Sequence, residues 1–203
     1  MSKKFTYVFV IAIGIGSLVA GISLCVTKNK PGNELYGRDL TTIAKNEKIV
    51  DNINILLDPV MYTEENGSVR SQVYVIPEFS EGPDGEIELN HVMGLLVNPA
   101  SEFSKYDQVC NKTYSWLGSN APIANIGQSD VPFDGKVRKM TMSEKKYFKE
   151  FLESAGYTEA EIDEVLVPYT LVRMHYNEGP WVIVVGIGCI VVGGALFILK
   201  MRK

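Results

Sequence analysis

Cysteine and histidine are scarce in this chain, with three cysteines and two histidines in 203 residues. Cys25 and Cys189 belong to long apolar runs, so Cys110 stands alone in the polar middle and no disulfide can staple that region. His91 and His175 have no ligand partner at short spacing, which leaves no legible zinc site, since zinc takes three or four nitrogen, sulfur or carboxylate ligands. Phosphate-binding P-loops, H-E-x-x-H helices and G-x-S-x-G elbows are also missing. A basic stripe is missing too. All 24 acidic residues fall between Glu34 and Glu178, against 15 basic residues between the apolar runs. Nucleic acid is thereby excluded as a partner, because phosphate binding needs clustered cations to displace counterions.

Charge is absent altogether from Phe5 to Val26 and from Trp181 to Leu199, 22 and 19 residues. As helices these would measure about 33 and 28 Å, against a bilayer core of about 30 Å. Both read as transmembrane helices, with the lipid bilayer as their first partner. The opening "MSKK" also suits the basic start of a signal peptide, but the processing sites are poor: Leu24 occupies the small-residue position before Cys25 that a lipoprotein box requires. Lys3, Lys4, Lys200, Arg202 and Lys203 concentrate positive charge at the tails, which favours cytoplasmic termini and places residues 27–180 outside the cytoplasm. The sequons at Asn66 and Asn111 would matter only in a glycosylating host. The expected organisation is a span over 5–26 (or uncleaved signal anchor), a linker over 27–33, a domain over 34–178, a span over 181–199 and a basic tail over 200–203.

The second span contains "VVGIGCIVVGG", whose glycines invite a dinucleotide-binding reading. That fingerprint needs a third glycine three residues after Gly188, where Val191 stands, and an acidic residue about twenty positions on. The glycines suit helix packing instead. Ala12, Gly16 and Ala20 recur every four residues, as do Ser17, Gly21 and Cys25, while Gly186, Cys189 and Gly193 fall on one face of the second span. Small residues at such spacings let helix backbones approach inside a bilayer. They form a candidate seam, either between the two spans or with another subunit.

In the middle, Asp39 can cap a short helix over Ile43–Ile49. "INILLDPVMYT" and "VRSQVYVIP" carry strand signals around Asn66-Gly67, a hairpin turn, with Pro59 implying an edge or a bulge. "IELNHVMGLLV" follows as a third antiparallel strand. Ser101 can cap a helix bearing Phe103, Tyr106, Cys110 and Leu117 on one face. Residues 118–135 read as a long loop for binding or motion, with Phe133 available to the core. Two capping boxes, Thr141 with Glu144 and Thr158 with Glu161, open consecutive helices that Gly156 and Pro168 close, and "YTLVRMHY" reads as a last strand. The fold class is α+β: a small antiparallel sheet and a C-terminal helical hairpin, flanked by two transmembrane helices.

Candidate chemistry is thin. Ser143 and Lys146 have S-x-x-K spacing without the companion motifs, and Ser143 is better used at a helix start. Glu78, Glu81, Asp84, Glu86 and Glu88 crowd one turn but lack the ordered calcium-loop pattern, so they read as solvated acids. No catalytic, cofactor-binding or metal residue is assigned, and no cofactor is expected. The layout of span, acidic domain, "FKEFLESAGYTEAEIDE" hairpin and second span resembles uncharacterised two-span envelope proteins of Gram-positive bacteria; that resemblance carries no active site. The expected function is non-enzymatic: an outer domain that binds a protein or envelope ligand, as an accessory subunit of a membrane complex or a homo-oligomer. Two rivals stay open, a ligand sensor that signals through a partner because its tails are short, and an envelope hydrolase with a dispersed site.

Overall fold

The computed structural model describes residues 3–82, 85–119, 121–127, 129–174 and 178–201. The chain divides into two compact units, the apolar helices and the stretch Pro31–Met174.

The first unit pairs α1 (Lys3–Lys28) with α5 (Gly179–Met201). Both contain segments long and apolar enough to cross a membrane, Val8–Lys28 and Gly179–Leu199, with mean hydropathy 2.5 and 2.9. The helices run antiparallel: Gly14 lies against Gly186, Gly21 against Gly179, and Gly193 against Ile11. A Cβ at Gly186 would sit 2.8 Å from the backbone nitrogen of Leu18, so only glycine allows this approach. Large side chains such as Phe9, Val19 and Val191 point outward and are exposed. A water-soluble helix pair would hide such residues.

The second unit is built on a six-stranded sheet in the order β1 (Lys48–Asn52), β5 (Pro132–Lys139), β6 (Leu166–Arg173), β4 (Ile87–Val97), β3 (Ser68–Glu81), β2 (Leu57–Glu65). β2 (Leu57–Glu65), β3 (Ser68–Glu81) and β4 (Ile87–Val97) form the expected antiparallel meander. Asn66 and Gly67 both take positive φ, 53° and 75°, at its first turn. These angles match the twist of the flanking strands. Pro59 lies on edge strand β2 at a register shift, where its missing N–H breaks no regular ladder.

The sheet is larger than the sequence suggested, and it is mixed. β5 (Pro132–Lys139) arises from the end of the expected loop, and β1 (Lys48–Asn52) replaces the expected helix over Ile43–Ile49. Asp39 caps only a single 3-10 turn, Leu40–Thr42, because the chain then turns at Asn46, φ 70°, and pairs with β5. Backbone bonds from Asn46 N–H to the Val137 carbonyl and from Val137 N–H to the Glu47 carbonyl begin that pairing. Alternation in "KIVDN" was too short to outweigh a helix cap read locally.

β6 (Leu166–Arg173) enters between β5 and β4, antiparallel to the former and parallel to the latter. It starts earlier than "YTLVRMHY" implied, and His175 and Tyr176 lie outside the described residues. Pro168 does not end a helix as expected. It sits where the β4–β6 register jumps from Val92–Leu166 to Gly94–Thr170, and its carbonyl accepts from Met140 N–H.

Alternate residues of the central strands supply two cores. Tyr74, Ile76, Met93 and Leu95 pack with Tyr106, Val109 and Cys110 of α2 (Phe103–Leu117). Val73, Val75 and Val92 pack with Phe148 and Leu152 of α3 (Met142–Ser154) and Ile162 of α4 (Glu159–Val165). Period-two alternation thus serves both faces, as a helix-covered sheet requires. Both capping boxes form, and Gly156, φ 96°, follows α3. Ser101 caps nothing: it lies in a 3-10 turn, Ala100–Glu102, that leads into α2. Phe133 is buried in the first core.

Candidate functional site

The domain carries a cleft of about 450 Å³, lined by residues 35–40, Asn54, Ile55, residues 76–79, Ile123 and Ile126. Four segments separated in sequence meet there. The strand β3 supplies Ile76, Glu78 and Phe79, and the turn after Pro31 lays Leu35 to Leu40 beside it. Asp51 fixes that turn by accepting the N–H groups of Leu35 and Tyr36, at 2.8 and 3.2 Å. The Tyr36 hydroxyl donates to the Ile55 carbonyl and accepts from the N–H groups of Asn54 and Ile55. Burial raises its pKa well above the usual phenol range, so it serves as a neutral strut.

The third wall comes from the long loop after α2, which is anchored. Trp116 Nε1–H donates to the Pro122 carbonyl at 3.2 Å, and Ile123 N–H donates to Glu81 at 2.7 Å. Farther on, Ser129 N–H donates to Asn54, and its hydroxyl donates to the Ile53 carbonyl. Ile123 and Ile126 are half-buried between these ties and face the cleft. An apolar lining with a few convergent polar groups is the ordinary make-up of a ligand site.

Those polar groups are Arg38, Asp39, Glu78 and Asn54. Arg38 reaches away to Glu47 at 2.5 Å, which neutralises it. Asp39 and Glu78 instead converge on His91, the cross-strand partner of Glu78. His91 Nδ1 is 3.0 Å from Glu78 Oε2 and 3.9 Å from Asp39 Oδ1. Each carboxylate is held at the oxygen that faces His91: Leu40 N–H donates to Glu78 Oε2 at 2.9 Å, and Thr41 donates to Asp39 Oδ1 through its hydroxyl and its N–H. The Thr41 bonds lower the Asp39 pKa below the ordinary carboxylate range, with His91 adding to the effect. One imidazole and two carboxylates are groups that can hold a metal ion.

The family comparison follows the same stretch of chain. A domain of unknown function, DUF8577, matches residues 44–201. The chain belongs to the DUF8577 family. The matched region runs from just before β1 to the end of α5, so it includes Glu78, His91 and the loop wall of the cleft, whereas Asp39 precedes it. No curated protein and no solved structure matches the chain.

Within this DUF8577 member, the acidic turn disperses. Glu78 turns to His91, Glu81 caps the Ile123 turn, and Asp84 lies outside the described residues. Ser143 is the second residue of α3 and Lys146 pairs with Glu150, so the S-x-x-K spacing forms no dyad. Cys110 is buried, its thiol directed at the Leu57 carbonyl and its pKa pushed up to about 12 by burial.

Among the proposed seam residues, Gly21, Gly186 and Gly193 are buried between α1 and α5, with Ser17 and Cys189 half-buried. Ala12, Gly16 and Ala20 are exposed, and nothing lies within 4 Å of a Cβ built on Gly16. Spacing by seven, Gly14 to Gly21 and Gly179 to Gly186 to Gly193, is the pattern that meets the partner helix. A repeat of 3.5 residues per turn keeps one seam in register, while rows of four drift around the helix. The Asp39–Glu78–His91 group is not legible in the sequence because Asp39 lies on a turn remote in the chain from the β3–β4 hairpin that pairs Glu78 with His91. The one available signal is that Glu78 and His91 flank the same hairpin turn.

Proposed function

We propose that this DUF8577 protein is a non-enzymatic, two-span membrane protein whose Pro31–Met174 domain binds a protein or envelope ligand outside the cytoplasm. The observation that carries the reading is the cleft, where half-buried Ile55, Ile123 and Ile126 leave apolar surface accessible above the buried Leu35 and Ile76, in a fold that covers both sheet faces elsewhere. Burying such a lining against an apolar segment of a ligand releases ordered water, and Asn54 and Asp39 orient what enters. The basic tails support cytoplasmic termini, and the two-span layout supports a role as an accessory subunit in a membrane complex, in a Gram-positive envelope by the sequence resemblance.

Copurification from native membranes in mild detergent tests this. The wild-type chain should retain a partner that Ile123→Glu loses, since a carboxylate there would be desolvated by any apolar occupant. Ile123 is only half-buried, so the variant keeps its core. Equal recovery from both, or a clean monomer from both in several detergents, would remove the cleft from consideration.

The hydrolase reading gains one observation, His91 beside two carboxylates at the cleft. Among the described residues the lining offers no serine, threonine or cysteine as nucleophile, so a hydrolase here would have to use a metal-bound water.

A further inference from the structure

We propose that Asp39, Glu78 and His91 form a binding site for a divalent transition-metal ion of the zinc type, with its open coordination position facing the cleft. The donor atoms of the three side chains all lie within 4.8 Å of one another. Ligands bound tetrahedrally at zinc stand about 3.3 Å apart, given bonds of about 2.0–2.1 Å. The separations from His91 Nδ1, 3.0 Å to Glu78 and 3.9 Å to Asp39, bracket that edge. Those two edges lie within about 0.6 Å of the tetrahedral value, and the third, Asp39 to Glu78, is within 4.8 Å and closes by rotation of the exposed Asp39 side chain.

Three further features fit a metal better than a plain ion pair. The ligands come from three separate segments, β3, β4 and the 3-10 turn after Gly37, so the group is assembled by the tertiary fold and not by neighbours on one exposed turn. Each carboxylate is oriented by a hydrogen bond from outside the group, from Leu40 to Glu78 and from Thr41 to Asp39. Such outer bonds fix the direction of metal ligands and strengthen the site. The charge balance also matters: two carboxylates face one imidazole, while the nearby Arg38 is engaged by Glu47.

Donor chemistry selects the metal. An imidazole nitrogen with two carboxylates suits zinc and its neighbours, whereas calcium and magnesium prefer all-oxygen shells. Three protein ligands leave a fourth position, as in zinc sites that keep an exchangeable water. Asp39 and Glu78 line the cleft, so that position opens toward it. A zinc ion there would hold an oxygen donor of whatever enters.

The test uses the full chain without a polyhistidine tag, in detergent, stripped by chelator and then titrated with zinc chloride by calorimetry. One equivalent of zinc should bind and raise the thermal midpoint, and cobalt in its place should give a visible absorption band. His91→Gln and Glu78→Gln should each weaken zinc by about 100-fold or more, because losing a ligand exceeds the 10–100-fold cost of losing an outer-shell partner. Glu78→Gln keeps an oxygen to accept from Leu40, so circular dichroism should show a folded domain in that variant. Absence of stoichiometric binding would overturn the proposal. So would unchanged affinity in His91→Gln, or binding that disappears with His175→Gln instead. Zinc is read without any cleft ligand, so a negative result leaves the binding function of the cleft standing.

Discussion

Glu144 is the most demanding single residue in the domain, because its side chain is 3% exposed yet charged. It accepts two hydrogen bonds from Arg138 and one from Thr141 N–H, and Thr170 adds a hydroxyl at 3.4 Å. Desolvation pushes its pKa up, but the Arg138 and Thr141 bonds outweigh it and leave the value below the ordinary 4.5. A depressed folded pKa stabilises the domain above the unfolded value, and the stabilisation disappears as pH falls through the folded one. Glu144→Ala should therefore destabilise by about 2 kcal/mol at neutral pH, since it removes the capping-box acceptor of Thr141 and the carboxylate partner of the partly exposed Arg138. Denaturant titrations should show that difference narrowing below pH 4.5, as protonation removes the same interaction from the wild type. The capping box was readable as T-x-x-E. Its partner Arg138 was not, because Arg138 meets Glu144 only once β5 has paired with β1 and β6.

At the scale of elements, the helix pair separates two kinds of small residue that look alike in sequence. Gly186→Leu should disrupt the α1–α5 contact, because a Cβ alone would meet the backbone of Leu18 at 2.8 Å. Gly16→Leu should leave it intact, having nothing within 4 Å. Crosslinking can read the difference. A Cβ at Gly179 would lie 2.9 Å from Cys25 Sγ, so Gly179→Cys should form a disulfide with Cys25 under mild oxidation. Adding Gly186→Leu to that background should suppress the crosslink, and adding Gly16→Leu should not; the reverse order would reject the seven-residue seam. Apolarity and length made both helices visible in the sequence, but which small residues face the partner depends on how the two helices cross. The strand β5 shows the same limit from the other side: "PFDGKVRK" carries alternation broken by Gly135, and only its pairing with β1 and β6 makes it a strand.

For the whole molecule, the proposed topology predicts that protease added to right-side-out cells digests residues 27–180 while the termini stay protected. The exposed part of the loop near Asn125 is the expected first cut, since cleavage needs an accessible, locally yielding backbone. A fully shielded middle would invert the orientation. Local pattern is enough to make legible the two apolar helices, the acidic domain between them, the meander with its Asn66-Gly67 turn and the two capped helices. Each of these rests on hydrophobic period, charge or capping, which act over a few residues. Tertiary structure alone decided the parallel insertion of β6 between β5 and β4, the pairing of β1 with β5 and the closing of a cleft by Ile123 and Ile126. It also decided that Asp39, Glu78 and His91 share one corner. Those features depend on contacts between residues far apart in the chain, whose free energy appears only when the intervening segments have folded.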